Sequence, residues 1–271
     1  METKNAEGPT PGARGPENKT AALVVNNRSP PLVVMAVLVD YFLPYRGLRL
    51  SEEGPPSRDT IIRDLDSLGY ARLTALRNKP RGARDAVIFL VLAAESKQAH
   101  HSGDLRKLLE GLRYDPLVKE GRLDEVLLIV DDAFLSKKNV LDVVRAFQKD
   151  GPDGEDPEGA RGAFYTVRPY CNFMCNIPAA QIVPKHQILT PSQVKERLSW
   201  HSLKIGSLPL IRDSDPPVVW LGARPGQVVL ITRDSETSVV AEIMRRVVKA
   251  ALAEPKSSSR GGRSSGADGD E

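Results

Sequence analysis

The sequence predicts a mixed α/β chain, α/β to α+β in class, with two folded parts. Three observations carry that reading. Apolar strands alternate with amphipathic helices through the N-terminal half. A capped helix and a turn-linked pair of apolar runs crowd the stretch Ile182 to Val248. Polar Gly/Pro-rich segments flank and interrupt both. The expected boundaries are a tail over 1–25, an N-terminal domain over 26–180, a C-terminal domain over 181–252 and a tail over 253–271.

Met1 to about Thr20 is rich in Gly, Pro, Asn and charge and reads as disordered. Leu32 to Tyr45 is apolar at most positions, and its length favours a buried helix over a strand, ended by Arg46-Gly47. Ser57 caps a second helix through Ile61, Ile62, Leu65 and Leu68, with Gly69 at its end. Asp85 to Ala93 and Glu125 to Val130 read as strands buried on both faces. Each is followed by a helix: Asp104 to Leu112 with Leu105, Leu108, Leu109 and Leu112 inward, and Lys138 to Phe147 with Val140, Val143, Val144 and Phe147 inward. Gly151 to Gly162 is a polar loop, and Phe164 to Val167 a further strand.

In the C-terminal part, Thr190-Pro191-Ser192-Gln193 is a capping box with proline at the first helical position, so a helix should run to about Trp200. Val194 and Leu198 form its short apolar face. Leu208-Pro209-Leu210-Ile211 has the proline of an edge segment. Asp213 to Pro217 reads as a turn and Val218 to Leu221 as a short strand. Arg224-Pro225-Gly226-Gln227 suits a type II turn, whose third position needs φ > 0. Val228 to Thr232 is a β-branched strand, expected to return beside Val218–Leu221 as a hairpin. Lys256 to Glu271 reads as a disordered tail.

Composition narrows the function. At 271 residues and a net charge of +3, the chain has room for two modest cores but no bulk positive charge, so a DNA role must rest on local patches. The two cysteines, Cys171 and Cys175, are too few for a disulfide framework and fit a reducing compartment. No apolar leader opens the chain. The run Leu32 to Leu43 is broken by Asp40 and falls short of the ~20 residues of a membrane span. A soluble intracellular protein is expected.

Catalytic signals are thin. Asp131-Asp132 end a buried strand, where a nucleotide-binding fold places acids, but no phosphate loop accompanies them; the plain reading is a solvated strand end. Cys171 and Cys175 with His186 and His201 make a weak zinc pattern, because structural sites use tighter paired spacings. His100-His101 are neighbours whose rings diverge, and Glu52-Glu53 and Glu155-Asp156 lie in loops. No catalytic residue, metal, cofactor or small-molecule substrate is expected. Ser136-Lys137-Lys138 is either a basic helix start or a patch that contacts phosphates.

The run from Val183-Pro184 through His186, Thr190, Leu208-Pro209, Ile211, Asp215-Pro216, Gly222, Gly226-Gln227-Val228-Val229, Ile231, Arg233 and Ser235-Glu236-Thr237 to Arg245 resembles the assembly domain of the fifth subunit of eukaryotic nuclear RNA polymerases. The archaeal polymerase carries the same module alone, as a small separate subunit. More weakly, the N-terminal half resembles the jaw domain of the eukaryotic subunit, through Arg46-Gly47-Leu48-Arg49-Leu50 and the Leu127–Val130 strand. Departures are Pro225 where the family has a basic residue, Asp234 where it has proline, and the absence of tyrosines near Ala241 and Met244. The last segment reads two ways: a strand in the family, but helical spacing at Val240, Ile243, Met244 and Val247.

The resemblance implies a non-catalytic subunit of a DNA-dependent RNA polymerase. Its partners would be the largest subunit, neighbouring small subunits and downstream DNA. His186, Pro209, Asp215, Pro216, Gly226, Gln227 and Glu236 would belong to the assembly surface, with Gly226 and Asp215 also open to fold-determining roles as turn and cap. Ser136, Lys137 and Lys138 would lie near DNA. The lost tyrosines and Gly/Pro-rich extensions point to a divergent lineage, nuclear or encoded by a large DNA virus. The expected compartment is the nucleus, or a virion or viral factory. The competing readings are a free-standing nucleotide- or nucleic-acid-processing enzyme built on Asp131/Asp132, and a transcription cofactor.

Overall fold

The apolar run Arg84–Leu92 sits at the centre of a five-stranded mixed sheet, buried on both faces as its composition requires. The computed structural model describes residues 29–51, 54–81, 83–137, 142–144, 146–147, 163–233 and 241–248. The two tails, the 151–162 loop, Val140, Lys138, Glu52-Glu53, Glu155-Asp156 and Glu236 lie outside these residues.

The first sheet contains β1 (Leu48–Leu50), β2 (Tyr70–Arg81), β3 (Arg84–Leu92), β4 (Leu123–Val130) and β5 (Phe164–Pro169), in spatial order β1-β2-β3-β4-β5. The β1–β2 and β2–β3 pairs are antiparallel, and β3, β4 and β5 run parallel. Side chains alternate across β3. Val87, Phe89 and Val91 face a core shared with the helical run from Pro30 to Tyr45; Ala86, Ile88, Leu90 and Leu92 face a second core under Leu105, Leu109, Val143, Val144 and Phe147. The long first helix widens into a π-helical segment over Leu38–Phe42, just before Pro44. Proline has no N–H to donate, so the ladder must shift there. The helix Arg58–Leu68 begins at the predicted Ser57 cap, which accepts from the Thr60 amide, and Gly69 follows it.

β2 is the longest strand and has no counterpart among the sequence-based expectations. Its inward residues are Ala71, Leu73, Ala75 and Arg77, and the small or charged side chains at all but Leu73 hide the period-2 signal.

The second sheet contains β6 (Lys185–Ile188), β7 (Leu210–Arg212), β8 (Val228–Arg233) and β9 (Ala241–Val248), in order β6-β8-β9-β7. The helix Pro191–Trp200 forms with the capping box predicted for it, and packs Val194 against Val228 and Leu230 on one face. Leu210–Arg212 is an edge strand, in keeping with Pro209 before it. The final segment is a strand over Ala241–Val248, which decides between its two readings for Ile243, Met244 and Val247: β9 lies between β8 and β7, and those partners govern it; Val240 lies outside the described residues. Among the described residues no helix is long and apolar enough to cross a membrane.

One expectation is overturned. Val218–Leu221 is not a strand but the body of a helix, Pro216–Leu221, so it does not form the predicted hairpin; β8 pairs instead with β6 and β9. Pro216 and Pro217 fill the first two helical positions, where proline's fixed φ favours the helix. Gly222 ends it at φ +65. Val218, Val219 and Trp220 are buried, and burial of the whole short helix overrides β-branched propensity. The Arg224–Gln227 turn does form, with the Gln227 amide donating to the Arg224 carbonyl and Gly226 at φ +89, but it links a helix to a strand.

Candidate assembly surface

The helix Pro216–Leu221 belongs in sequence to the second sheet, yet its Val219 and Trp220 lie in the core of the first. Trp220 is fully buried, edge-on to Phe42 at 5.1 Å, and its indole N–H donates to the Asn172 carbonyl at 2.7 Å. Beside it is a buried ionic cluster. A bulge in β4 starts the cluster: Ala86 pairs with Leu123 and Val87 with Glu125, leaving Asp124 as an extra residue. Neighbouring strand residues ordinarily point to opposite faces; the bulge lets Asp124 and Glu125 reach the same cations. Arg77 Nη2 lies 2.7 Å from Asp124 and 3.1 Å from Glu125, Arg46 Nη2 2.9 Å from Glu125, and Arg224 Nη2 2.9 Å from Asp124. Arg224 also lies over the Phe164 ring, 5.0 Å from its centre. Gly222 is required twice over, by its left-handed φ and because a Cβ there would collide with the Arg46 guanidinium. Arg168 completes the joint, donating to the Asp213 carbonyl oxygen at 3.0 Å.

Sequence reasoning did not single out Arg46, Arg77, Asp124, Glu125, Trp220 or Arg224. A signal was present: two adjacent acids inside the otherwise apolar run Leu123–Val130 cannot be buried without cationic partners.

The predicted surface residues fall into two groups. In the first, His186 and Asp215 are close enough to interact electrostatically, and Arg245 acts on Asp215 as well. Burial pushes the Asp215 carboxyl up from its ordinary value, against the opposing pull of His186 and Arg245. His186 donates from Nδ1 to the Pro184 carbonyl at 2.6 Å. Asp215 stands at the N-cap of the helix but makes no side-chain cap bond, so the cap role open to it is not the one it plays. Pro216 begins the helix. In the second group, Gly226 and Gln227 shape the turn; Gln227 Oε1 accepts the Arg224 amide at 2.7 Å, which spends its side chain on the fold. Pro209 is exposed, among the exposed apolar side chains Trp200, Leu203, Ile205 and Leu210.

The Asp215 environment has a testable consequence. Its folded pKa is raised, so its contribution to stability is fully present below the unfolded value and is lost as pH rises through the folded one. At neutral pH the wild type therefore carries a deficit that asparagine avoids. Asp215→Asn is expected to raise the melting temperature at neutral pH, with the gain shrinking on acidification; a neutral-pH melting temperature at or below wild type would contradict this.

At the other end of the first sheet, Asp131 accepts the Ala133 amide at 2.8 Å and so caps a short 3₁₀ helix, Asp132–Ser136. Asp132 lies 3.7 Å from Cys171 Sγ. Lys137 donates to His100 Nδ1 at 2.6 Å and to the Ala99 carbonyl at 3.3 Å, which fixes its ammonium against the short helix Lys97–His100. Ser136 ends the 3₁₀ turn. Among the described residues no group of His, Cys, Asp and Glu is arranged to hold a metal.

The family described as RNA polymerase Rpb5, C-terminal domain, matches residues 175–247, which takes in all of the second sheet but its last residue, Val248. The chain is also 35% identical over 211 residues to the DNA-directed RNA polymerase RPB5 homolog of the Warthog/Namibia isolate of African swine fever virus, covering 78% of this chain and 94% of that protein. The chain belongs to the RNA polymerase Rpb5 family. Shorter relatives match only part of it. The DNA-directed RNA polymerase subunit Rpo5 of Thermococcus celer is 43% identical over 74 residues, 27% of this chain and 90% of that protein. Rpo5 of Thermococcus onnurineus is 44% identical over 69 residues, 26% of this chain and 84% of that protein. The Rpb5 family thus includes members little larger than one such module, and this chain carries a second sheet-based unit beside it.

Proposed function

We propose that this Rpb5-family chain is a non-catalytic subunit of a DNA-dependent RNA polymerase, with the catalytic centre in other subunits. The observation that carries the proposal is the match along 94% of a viral RPB5 homolog. The 181–252 region acts as the assembly domain on the largest subunit, and the 26–180 region contributes to the jaw around downstream DNA. The similarity to viral homologues favours a virally encoded polymerase, working in a viral factory or virion rather than the nucleus.

Two features support the assembly role. His186 and Arg245 both act electrostatically on Asp215, and Trp200, Leu203, Ile205 and Leu210 expose apolar surface around Pro209. For the jaw, Lys137 holds a positive charge at the end of the first sheet where phosphates would be met.

The test is affinity capture of the tagged full-length protein from its own cells, scored for the largest polymerase subunit. Trp200 is 71% exposed, so Trp200→Ser leaves the fold intact. Truncating an aromatic interface anchor commonly costs at least ~2 kcal/mol, so capture by this variant should fall about tenfold or more. Wild-type protein that brings down no polymerase subunit would refute the proposal.

A further inference from the structure

Among the described residues β6 is an edge strand, with β8 on one side and no strand on the other. Its register against β8 pairs Lys185 with Thr232, His186 with Ile231, Gln187 with Leu230 and Ile188 with Val229. The Leu189 amide donates to the Val228 carbonyl, which marks that pair as hydrogen-bonded. In an antiparallel ladder hydrogen-bonded and open pairs alternate. The amides and carbonyls of Lys185 and Gln187 therefore point at β8, and those of His186 and Ile188 point away from the sheet. Neither outward pair has a hydrogen-bond partner among the described residues. The opposite edge of this sheet differs: the Leu210 carbonyl accepts from Arg245, and the Arg212 carbonyl accepts the Asp215 amide.

We propose that β6 is a docking edge for an extended, acidic segment of a partner protein, which adds a fifth strand to this sheet. The outward His186 and Ile188 groups supply two donors and two acceptors at the spacing of the next strand. Charge complementarity sets the occupant's chemistry. Lys185 is exposed at one end of the edge, Arg233 is exposed one residue past the β8 partner of Lys185, and His186 follows Lys185 along the edge. An acidic strand is attracted and a basic one repelled. This inference rests on the assembly reading above and names the element that makes the contact.

The test separates backbone from side chain at one position. His186→Ala keeps the outward amide; His186→Pro removes it. Proline is tolerated on an edge strand whose amide faces solvent, so the β6–β8 bonds made by Lys185 and Gln187 survive. Both tagged full-length variants are checked for wild-type circular dichroism and then used to capture the largest polymerase subunit. His186→Pro is expected to capture at least tenfold less than His186→Ala. In hydrogen–deuterium exchange, the 185–189 amides of the wild-type protein should slow on assembly. A Lys185→Glu variant should weaken capture further at low salt than at high salt. Wild type and His186→Pro capturing equally, with no protection at 185–189, would overturn the docking edge while leaving the assembly reading standing. Capture by none of the proteins, wild type included, would overturn both.

Discussion

Glu125→Ala is expected to destabilise the folded chain by about 3–5 kcal/mol, the usual cost of removing one partner from a buried ion pair. The side chains of Arg46 and Arg77 are only 2% and 7% exposed, so water cannot replace the lost carboxylate. The cluster is already short of acceptors. Three guanidiniums share two carboxylates, and the Nε atoms of Arg46 and Arg224 are buried without a partner among the described residues. Burial alone would push the Glu125 carboxyl up, but Arg46 and Arg77 outweigh it and hold it below the usual carboxylate range. Burial and Arg46 also lower Arg77, an opposite pull on the same contact. The charged pair is the state that counts, because a guanidinium remains protonated at any working pH. A depressed carboxyl contributes stability above its unfolded pKa and loses that contribution as pH falls through the folded one. The wild type should thus lose stability below about pH 4, and Glu125→Ala should show a shallower acid limb. Urea unfolding at neutral and acid pH measures both. A neutral-pH loss under about 1 kcal/mol, the size of an ordinary surface effect, would show that the cluster is solvated.

Trp220→Ala carries a comparable penalty for a different reason. The indole is fully buried, packs edge-on against Phe42 and against Tyr45 at 5.8 Å, and its N–H serves the buried Asn172 carbonyl. Truncating so large a buried ring costs about 3–5 kcal/mol in lost transfer energy and residual cavity. Trp220→Phe keeps most of the ring and loses the hydrogen bond, so it should cost about 1–3 kcal/mol. That ordering, alanine well below phenylalanine and phenylalanine below wild type, is read from denaturant midpoints at constant slope. Equal midpoints for the alanine variant and wild type would mean that the joint between the two sheets is held without Trp220.

Much of the candidate surface is legible in the amino-acid order alone. The Thr190 capping box, the type II turn at Pro225-Gly226 and the edge character of Leu208–Ile211 all follow from proline, glycine and hydroxyl chemistry within four residues. Arg224 is not legible in that way, because nothing near it in sequence hints at Asp124, one hundred residues away. Nor is the outward-facing half of β6, since the direction of its amides depends on the register with β8. Ser136 and Lys137 are visible as a basic stretch, but the fixing of Lys137 against His100 needs the end of the 3₁₀ helix Asp132–Ser136 to meet the short helix Lys97–His100.

The sequence by itself determined the strands and helices whose signals are local. β3 from Ala86 and β4 from Val126 are apolar because both faces are covered, and the helices Arg58–Leu68 and Pro191–Trp200 begin at caps written beside them. It also determined family membership, which is carried by order and spacing. Only the tertiary structure decided two outcomes. Val218–Leu221 became a helix because burial of Val219 and Trp220 in the first sheet's core and of Val218 in the second's outweighs β-branched propensity. The final segment, which spacing left between helix and strand, resolved over Ala241–Val248 as β9 because β8 and β7 offer it ladder partners on both sides. Both depend on partners remote in sequence, and propensity yields to such partners because burial and pairing contribute more per residue than local preference does.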